Sequence, residues 1–230
     1  MEKISIGGIP SLVWGDRSDR AFIAVHGKMS CKENFQAFAD AAVRRGYQVL
    51  SFDLPEHGER KGEPDACNPW NGARDLQTIM QYAKNRWAEI SLYAESLGAY
   101  FSLLAFPGEP IRQCLFVSPV LDMERLIQNM MAMANVDEDT LKQKGDVPTD
   151  FGETLSWEYY TYVREHPIQR WQIPTAILYG GQDTMIGRNV VEAFASRFGC
   201  KLTIAQDAEH WFHTPRQLKA LSDWLKQAIL

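Results

Sequence analysis

Short runs rich in apolar residues alternate along the chain with segments of helical periodicity, and this alternation limits the possible folds more than any other feature. The predicted strands occupy residues 21–25, 47–52, 90–94, 111–117, 174–179 and 201–205. Runs that are apolar at successive positions are typical of strands buried on both faces. Strands that alternate with helices are joined by right-handed crossovers, so we predict an α/β fold with a mostly parallel sheet covered by helices on both faces. An antiparallel hairpin is predicted over residues 4–14, helices are predicted over residues 33–45 and 75–87, and a loop is predicted over residues 61–71.

The alternation stops between residues 120 and 171, where the sequence has a Met-rich helical stretch and an aromatic cluster but no strand pattern. We predict a single domain over residues 1–230 with this segment inserted in it. Insertions of this length are usually functional, so we predict a helical cap, or lid, over the active site. Its candidate substrate-binding residues are Met130, Met131, Trp157 and Tyr160. The alternative is that such side chains only pack the insertion onto the body of the domain.

Composition excludes several classes of partner. A net charge of −5 and a pI near 5.6 argue against nucleic acid and anionic membranes, because no basic stripe is present. The sequence contains neither a signal-peptide pattern nor an apolar stretch of about eighteen residues, so we expect a soluble, cytoplasmic protein with a small-molecule substrate. Oligomeric state is not predicted.

Cofactor and metal sites find no support in the sequence. The chain carries neither a G-x-x-x-x-G-K-[ST] nor a G-x-G-x-x-G motif, and His, Cys and carboxylate residues are not clustered at metal-ligand spacing. We therefore expect no cofactor and no metal. The four cysteines are scattered and are predicted to be reduced and structural. They are Cys31, Cys67, Cys114 and Cys200.

Polar residues follow several of the predicted strands. In an open parallel sheet, ligands bind beyond the carboxyl ends of the strands, where successive loops meet. Ser96, Asp183 and His210 each come just after a strand and would supply a nucleophile, an acid and a base. Ser96 lies in A-E-S-L-G over residues 94–98, where a strand stops and a helix begins.

These residues identify a resemblance to the α/β-hydrolases that runs from His26-Gly27 to the C-terminal helix. A-E-S-L-G is similar to the nucleophile elbow G-x-S-x-G of that family, with Ala94 in place of the first glycine. The segment D-L-P-E-H-G-E-R over residues 53–60 resembles a loop of small bacterial esterases related to the dienelactone-hydrolase and prolyl-oligopeptidase-like groups. The resemblance implies an α/β-hydrolase fold and a serine carboxylesterase acting on substrates of modest size.

The resemblance also implies a role for each candidate residue. His210 would take the proton of Ser96, and Asp183 would fix the tautomer of the imidazole. The backbone N–H of Leu97 and that of Lys28 or Met29 would hold the oxyanion.

Other residues compete for these roles or lie beside them. His213 is an alternative base, and Asp207 is an alternative partner for the catalytic histidine. We expect His57 and His26 to brace their own loops. Glu95 either tunes the neighbouring nucleophile or has its carboxyl bound beneath the elbow.

The sequence thus predicts a cofactor-free serine hydrolase that cleaves a carboxylic ester of a small or medium, apolar substrate through an acyl-Ser96 intermediate. A triad of this kind serves a thioesterase, lactonase, C–C hydrolase, amidase or peptidase equally well. An alternative from another class is a non-catalytic ligand-binding protein that has kept the fold, because a fold alone does not establish a function.

Overall fold

A computed structural model describes the whole chain, residues 1–230, and contains ten strands and eight α-helices. The strands are β1 (Glu2–Ile6), β2 (Ile9–Trp14), β3 (Arg20–Val25), β4 (Gln48–Phe52), β5 (Glu89–Glu95), β6 (Ile111–Val117), β7 (Asp146–Pro148), β8 (Thr154–Ser156), β9 (Thr175–Gly180) and β10 (Lys201–Ala205). The helices are α1 (Gln36–Val43), α2 (Pro69–Arg86), α3 (Leu97–Ala105), α4 (Met123–Met133), α5 (Glu138–Lys144), α6 (Trp157–Glu165), α7 (Arg188–Phe198) and α8 (Pro215–Ala228). None of the helices is both long and apolar enough to cross a membrane.

Eight of the strands form one sheet, in the spatial order β1-β2-β4-β3-β5-β6-β9-β10. The pairs β1–β2 and β2–β4 are antiparallel, and the other five neighbouring pairs are parallel. This arrangement confirms the predicted α/β class, the N-terminal hairpin and the mostly parallel sheet. The parallel strands place the loops that follow β3, β4, β5, β9 and β10 at one edge of the sheet.

Helices cover both faces of this sheet. On one face, Phe22 of β3 and Tyr93 of β5 pack with Phe38 of α1 and Trp224 of α8 in a single apolar cluster. Side chains alternate between the two faces of a strand, so Ile23 points to the opposite face, and it is equally buried. The near-continuous apolar runs in the sequence reflect this burial on both sides.

Two helices differ from their sequence predictions at the N-terminal end. Helix α2 begins at Pro69, inside the stretch 61–71 predicted as a loop, because Asn68 accepts a hydrogen bond from the Asn71 N–H and proline is favourable at the first helical position. The helix predicted from residue 33 begins as a 3₁₀ turn, Lys32–Phe35, before α1. Such ends depend on caps, which periodicity does not detect.

The chain divides into two units, of which the larger comprises residues 1–121 and 170–230 and contains the eight-stranded sheet. The smaller unit, residues 122–169, contains α4, α5, α6 and the antiparallel pair β7–β8. The prediction of a segment without strands was therefore wrong, because three-residue strands are too short to show a period.

The predicted substrate-binding residues belong to this smaller unit. Met131 and Tyr160 are buried, and the Tyr160 hydroxyl lies 3.1 Å from Nε2 of Gln128 in the same unit. Met130 and Trp157 are half-buried. Tyr160 and Met131 thus help to form the interior of the smaller unit, and contact with substrate stays a prediction for all four.

Candidate active site

Ser96 lies between β5 and α3 in a strained backbone conformation, with φ of 47° and ψ of −116°. Positive φ is unfavourable for a residue with a side chain, so such a conformation persists only where its surroundings hold it. The Ser96 N–H donates to Val117 O at 3.1 Å, and Ser96 O accepts from the Val120 N–H at 3.1 Å. Both partners come from the end of the neighbouring strand β6 and the loop after it, which fixes the turn.

Two glycines allow the close approach that this turn requires. A Cβ atom on Gly98 would lie 2.5 Å from the carbonyl oxygens of both Val25 and His26, and one on Gly27 would lie 3.0 Å from Cβ of Ser96. Ala94, which replaces the first glycine of the elbow motif, lies inside β5 and is fully buried. The strand accommodates a methyl group there, so this departure from the motif leaves the turn intact.

Ser96, His210 and Asp183 form one chain of hydrogen bonds. Ser96 Oγ lies 2.9 Å from His210 Nε2, and His210 Nδ1 lies 2.7 Å from Asp183 Oδ2. The Asp183 carboxylate is fully buried, whereas the His210 side chain is partly exposed. With its proton on Nδ1, the imidazole donates to the carboxylate and presents Nε2 as an acceptor to the serine hydroxyl.

The backbone after β9 fixes the orientation of the Asp183 carboxylate. Its Oδ1 accepts hydrogen bonds from the N–H groups of Met185 at 2.8 Å and Ile186 at 2.9 Å. The second oxygen, Oδ2, is therefore directed at His210. These two backbone donors keep the carboxylate in one orientation.

The competing residues identified in the sequence have other partners. The His213 ring is exposed, and its Nδ1 donates to Trp211 O at 2.8 Å. Asp207 is exposed and pairs with Arg216. The structure therefore brings Ser96 together with His210 and Asp183, and not with either alternative.

The three amide groups predicted to bind an oxyanion have different surroundings. Leu97 is the first residue of α3, where an N–H group lacks a partner within the helix. The Met29 N–H donates to Nε2 of His57 at 3.1 Å, so this amide already has a partner within the protein. Lys28 precedes it, and the carbonyl of Gly27, in the same peptide group as the Lys28 N–H, accepts from Nδ1 of His26 at 2.7 Å.

The Glu95 carboxyl is bound beside the elbow. It accepts a hydrogen bond from the Tyr93 hydroxyl at 2.6 Å, and burial raises its pKa. This contact agrees with the interpretation of Glu95 as a side chain held in place by its surroundings.

Residues 16–136 match the sequence family described as serine aminopeptidase, S33, and this stretch is more than half of the chain. The chain belongs to this family of α/β-hydrolases. A search of curated proteins finds no match to this α/β-hydrolase in sequence.

Solved structures confirm the fold of the hydrolase. Est1E from Butyrivibrio proteoclasticus, solved with ferulic acid bound, is 19% identical with a TM-score of 0.77, over 99% of this chain and 97% of that one. α/β-Hydrolase domain-containing protein 10 from mouse is 14% identical with a TM-score of 0.77, over 95% of this chain and 92% of that one. An esterase from Pyrococcus furiosus is 17% identical with a TM-score of 0.69, over 98% of this chain and 86% of that one.

A buried ion pair between Lys32 and Asp53, beside the site, was not predicted from the sequence of the hydrolase. The Lys32 side chain is 1% exposed, and its Nζ lies 2.6 Å from Oδ2 of Asp53 and within 3.0 Å of oxygens of Glu33 and Glu59. Burial lowers the pKa of Lys32, but hydrogen bonds to the three carboxylates outweigh this effect and raise the pKa overall. Lysine is normally exposed, so the only signal in the sequence is the strand-end position of Asp53.

Proposed function

We propose that this α/β-hydrolase is a serine hydrolase that cleaves a carboxylic ester through an acyl-Ser96 intermediate. The observation that carries the proposal is the continuous hydrogen-bonded chain from Ser96 Oγ through the His210 ring to Asp183. A serine hydroxyl is a weak nucleophile until an adjacent base removes its proton, and this chain supplies the base and the group that orients it.

The reaction follows from the positions of these atoms. As Ser96 Oγ bonds to the acyl carbon, Nε2 of His210 takes the hydroxyl proton, and Asp183 stabilises the resulting imidazolium. Collapse of the tetrahedral intermediate breaks the ester C–O bond, and His210 returns the proton to the leaving alcohol. Water then attacks the acyl-Ser96 with the same base, which releases the acid and restores the serine.

The amides of Leu97 and Lys28 are the oxyanion donors that we favour. Because the Met29 N–H is bound to His57, we assign the role to Lys28 rather than to Met29. Each backbone donor of this kind contributes roughly 3 kcal/mol to transition-state stabilisation.

Three exposed apolar side chains support an apolar substrate. Met29, Met185 and Trp211 are 92%, 49% and 74% exposed, and each lies within two residues of a candidate site residue in the sequence. Large apolar side chains that stay exposed beside a reactive group favour an apolar acyl or alcohol group as ligand. The ferulic acid bound by Est1E is an aromatic acid. We extend the proposal to apolar, including aromatic, esters on this basis.

The first experiment measures hydrolysis of p-nitrophenyl acetate, butyrate and longer esters together with labelling by a fluorophosphonate probe. Ser96→Ala should abolish labelling, and Ser96→Ala or His210→Ala should lower turnover on the order of a million-fold. Asp183→Asn should lower turnover roughly ten-thousand-fold, because it favours the wrong tautomer. His213→Ala and Asp207→Asn are the matched controls and should retain turnover and labelling.

Two results would contradict parts of the proposed function. A wild-type protein that is never labelled would favour the non-catalytic alternative, which predicts thermal stabilisation by a ligand without covalent modification. A preference for small polar esters alone would exclude the apolar substrate.

A peptidase is the second candidate, because the matched family is described as serine aminopeptidase. Aminoacyl p-nitroanilides assayed beside the esters distinguish the two. Turnover of the anilides that exceeds turnover of the matched aminoacyl esters would favour the peptidase.

A further inference from the structure

The loop that follows β4, residues 53–60, is bound to the loop that follows β3, residues 26–32, along most of its length. The Leu54 N–H donates to Nε2 of His26 at 3.0 Å, and the Lys32 N–H donates to Oδ1 of Asp53 at 2.9 Å. Between these two contacts, the Met29 N–H donates to Nε2 of His57 at 3.1 Å. The D-L-P-E-H-G-E-R segment, which has no place in the triad, therefore supports the loop that carries the Lys28 amide.

His57 is bound on both sides of its ring. Its Nδ1 donates to Pro55 O at 2.8 Å, which leaves Nε2 as an acceptor for the Met29 N–H. The residue is buried, and its ring lies 5.1 Å from that of His26. The imidazole is thus a rigid acceptor at a fixed position beneath the loop.

Met29 needs such support. Its φ is 61°, an unfavourable value for a residue with a side chain, and its side chain is 92% exposed, so packing does not hold it. The hydrogen bond to His57 holds the Met29 N–H in place, on the N-terminal side of this strained residue. The peptide group that carries the Met29 N–H begins at the carbonyl of Lys28. Holding this peptide group in place restricts the ψ torsion of Lys28, which lies on the other side of the Lys28 Cα from the Lys28 N–H.

We propose that His57 is a positioning residue that aims the Lys28 amide at the oxyanion by holding the adjacent Lys28–Met29 peptide group. This inference rests on the proposed function, because it concerns an oxyanion donor. His57 contacts the backbone of the loop and not the reacting atoms, so its effect is confined to the step in which negative charge develops. Loss of the Met29 contact should lower kcat and leave KM nearly unchanged, since the ester binds before the oxyanion forms.

The test compares His57→Leu with His57→Gln. Leucine fills much of the site but offers no acceptor, whereas the glutamine Oε1 reaches about as far as Nε2 and accepts the same N–H. We expect His57→Leu to lower kcat about 10- to 100-fold, less than the roughly 100- to 1,000-fold loss when an oxyanion donor is removed outright. KM should change less than about twofold. His57→Gln should restore most of kcat. His166→Leu, at an exposed histidine, is the matched control and should match the wild type.

A second readout separates positioning from general structural damage. Binding of a boronic acid, which forms a tetrahedral adduct with Ser96, should weaken in His57→Leu by the same factor as kcat. In the wild-type protein, the Met29 amide should exchange with solvent slowly despite its exposed side chain, and this can be measured by NMR with ¹⁵N-methionine. Rapid exchange of that amide would overturn the proposal even if His57→Leu failed to fold.

The remaining outcomes distinguish the two proposals. An unlabelled Ser96 in the wild type overturns the proposed function and this inference with it. The role of His57 alone is overturned in two cases, both of which require that the wild type is labelled. In the first, folded His57→Leu has the kcat of the wild type; in the second, His57→Gln does not restore the kcat that His57→Leu loses.

Discussion

At the scale of single residues, the elbow depends on Gly98. A methyl group there would lie 2.5 Å from two backbone carbonyl oxygens, and backbone atoms cannot move aside as a flexible side chain can. We expect Gly98→Ala to destabilise the protein by about 1–3 kcal/mol, the usual cost of overpacking. This corresponds to a fall of about 2–12 °C in Tm for a chain of this size. Gly108→Ala is the control, because nothing lies within 4 Å of its added Cβ, and an equal Tm in the two variants would contradict the prediction.

His26 should make the stability of the protein depend on pH. Burial lowers the pKa of His26 from its usual value of 6.5 to about 4 in the folded protein. Between these values the unfolded chain binds a proton that the folded protein does not. The stabilisation is therefore present above pH 6.5 and is lost as the pH falls towards 4, by up to about 3 kcal/mol.

Urea unfolding at pH 7 and pH 4.5 measures this effect. His26→Gln can still accept the Leu54 N–H but cannot titrate, so its stability should fall less between the two pH values than that of the wild type. The carboxylates contribute the same pH dependence of stability to both proteins. The difference in pH dependence between the wild type and His26→Gln is therefore due to His26. His166→Gln, at an exposed histidine, should behave as the wild type. Equal pH dependence in all three proteins would exclude a depressed pKa for His26.

Some features of the candidate site could be predicted from the sequence, and others could not. The positions of Ser96, Asp183 and His210 could be predicted because each lies within five residues of the end of a strand that the sequence pattern defines. The choice between the Lys28 and Met29 amides could not, because it depends on a contact with His57, 28 residues away along the chain. Lys32 was missed for a similar reason, since its partners Asp53 and Glu59 lie far from it along the chain.

At the scale of elements, β6 and β10 have the bounds that the sequence predicts, although β6 is buried along most of its length and the edge strand β10 is only partly buried. The start of α2 and the pair β7–β8 were missed, since one depends on a cap and the other has only three residues on each strand. Long periodic segments are thus predictable, and short or capped ones depend on local hydrogen bonds.

The N-terminus of α8 anchors the loop that carries His210. Thr214 and Gln217 form a capping box, in which Gln217 Oε1 accepts from the Thr214 N–H at 3.2 Å. The same Oε1 accepts from the His213 N–H at 3.1 Å, and Nε2 donates to Asp207 O at 3.2 Å. One side chain therefore binds both ends of the loop 207–213.

Gln217→Leu should loosen this loop. The buried amide makes three contacts that leucine cannot replace, so we expect a loss of about 1–3 kcal/mol in the free energy of unfolding. Turnover of the ester should fall as well, because His210 is held less firmly. Thermal unfolding and kcat are the measurements, and Gln227→Leu, at an exposed position of the same helix, is the control. Identical values for the two variants would show that the loop is held by other contacts.

At the scale of the whole molecule, the four cysteines share one property. All are free thiols, and burial raises the pKa of each, to about 12 for Cys67 and about 11 for Cys200. The thiolate is the reactive form of cysteine, so all four side chains are almost entirely protonated, and unreactive, at neutral pH.

Because the four thiols are unreactive in the folded protein, one experiment can distinguish a serine nucleophile from a cysteine nucleophile. Iodoacetamide at pH 7.5 should modify the folded protein slowly and leave ester turnover unchanged, whereas a fluorophosphonate should abolish it by reaction at Ser96. In urea, burial is lost, the thiol pKa values return towards their usual range near 8.5, and all four cysteines should react. Mass spectrometry counts the modified thiols in both states. Rapid loss of turnover with iodoacetamide would mean that a thiol takes part in the reaction, because the Ser96–His210–Asp183 chain contains none.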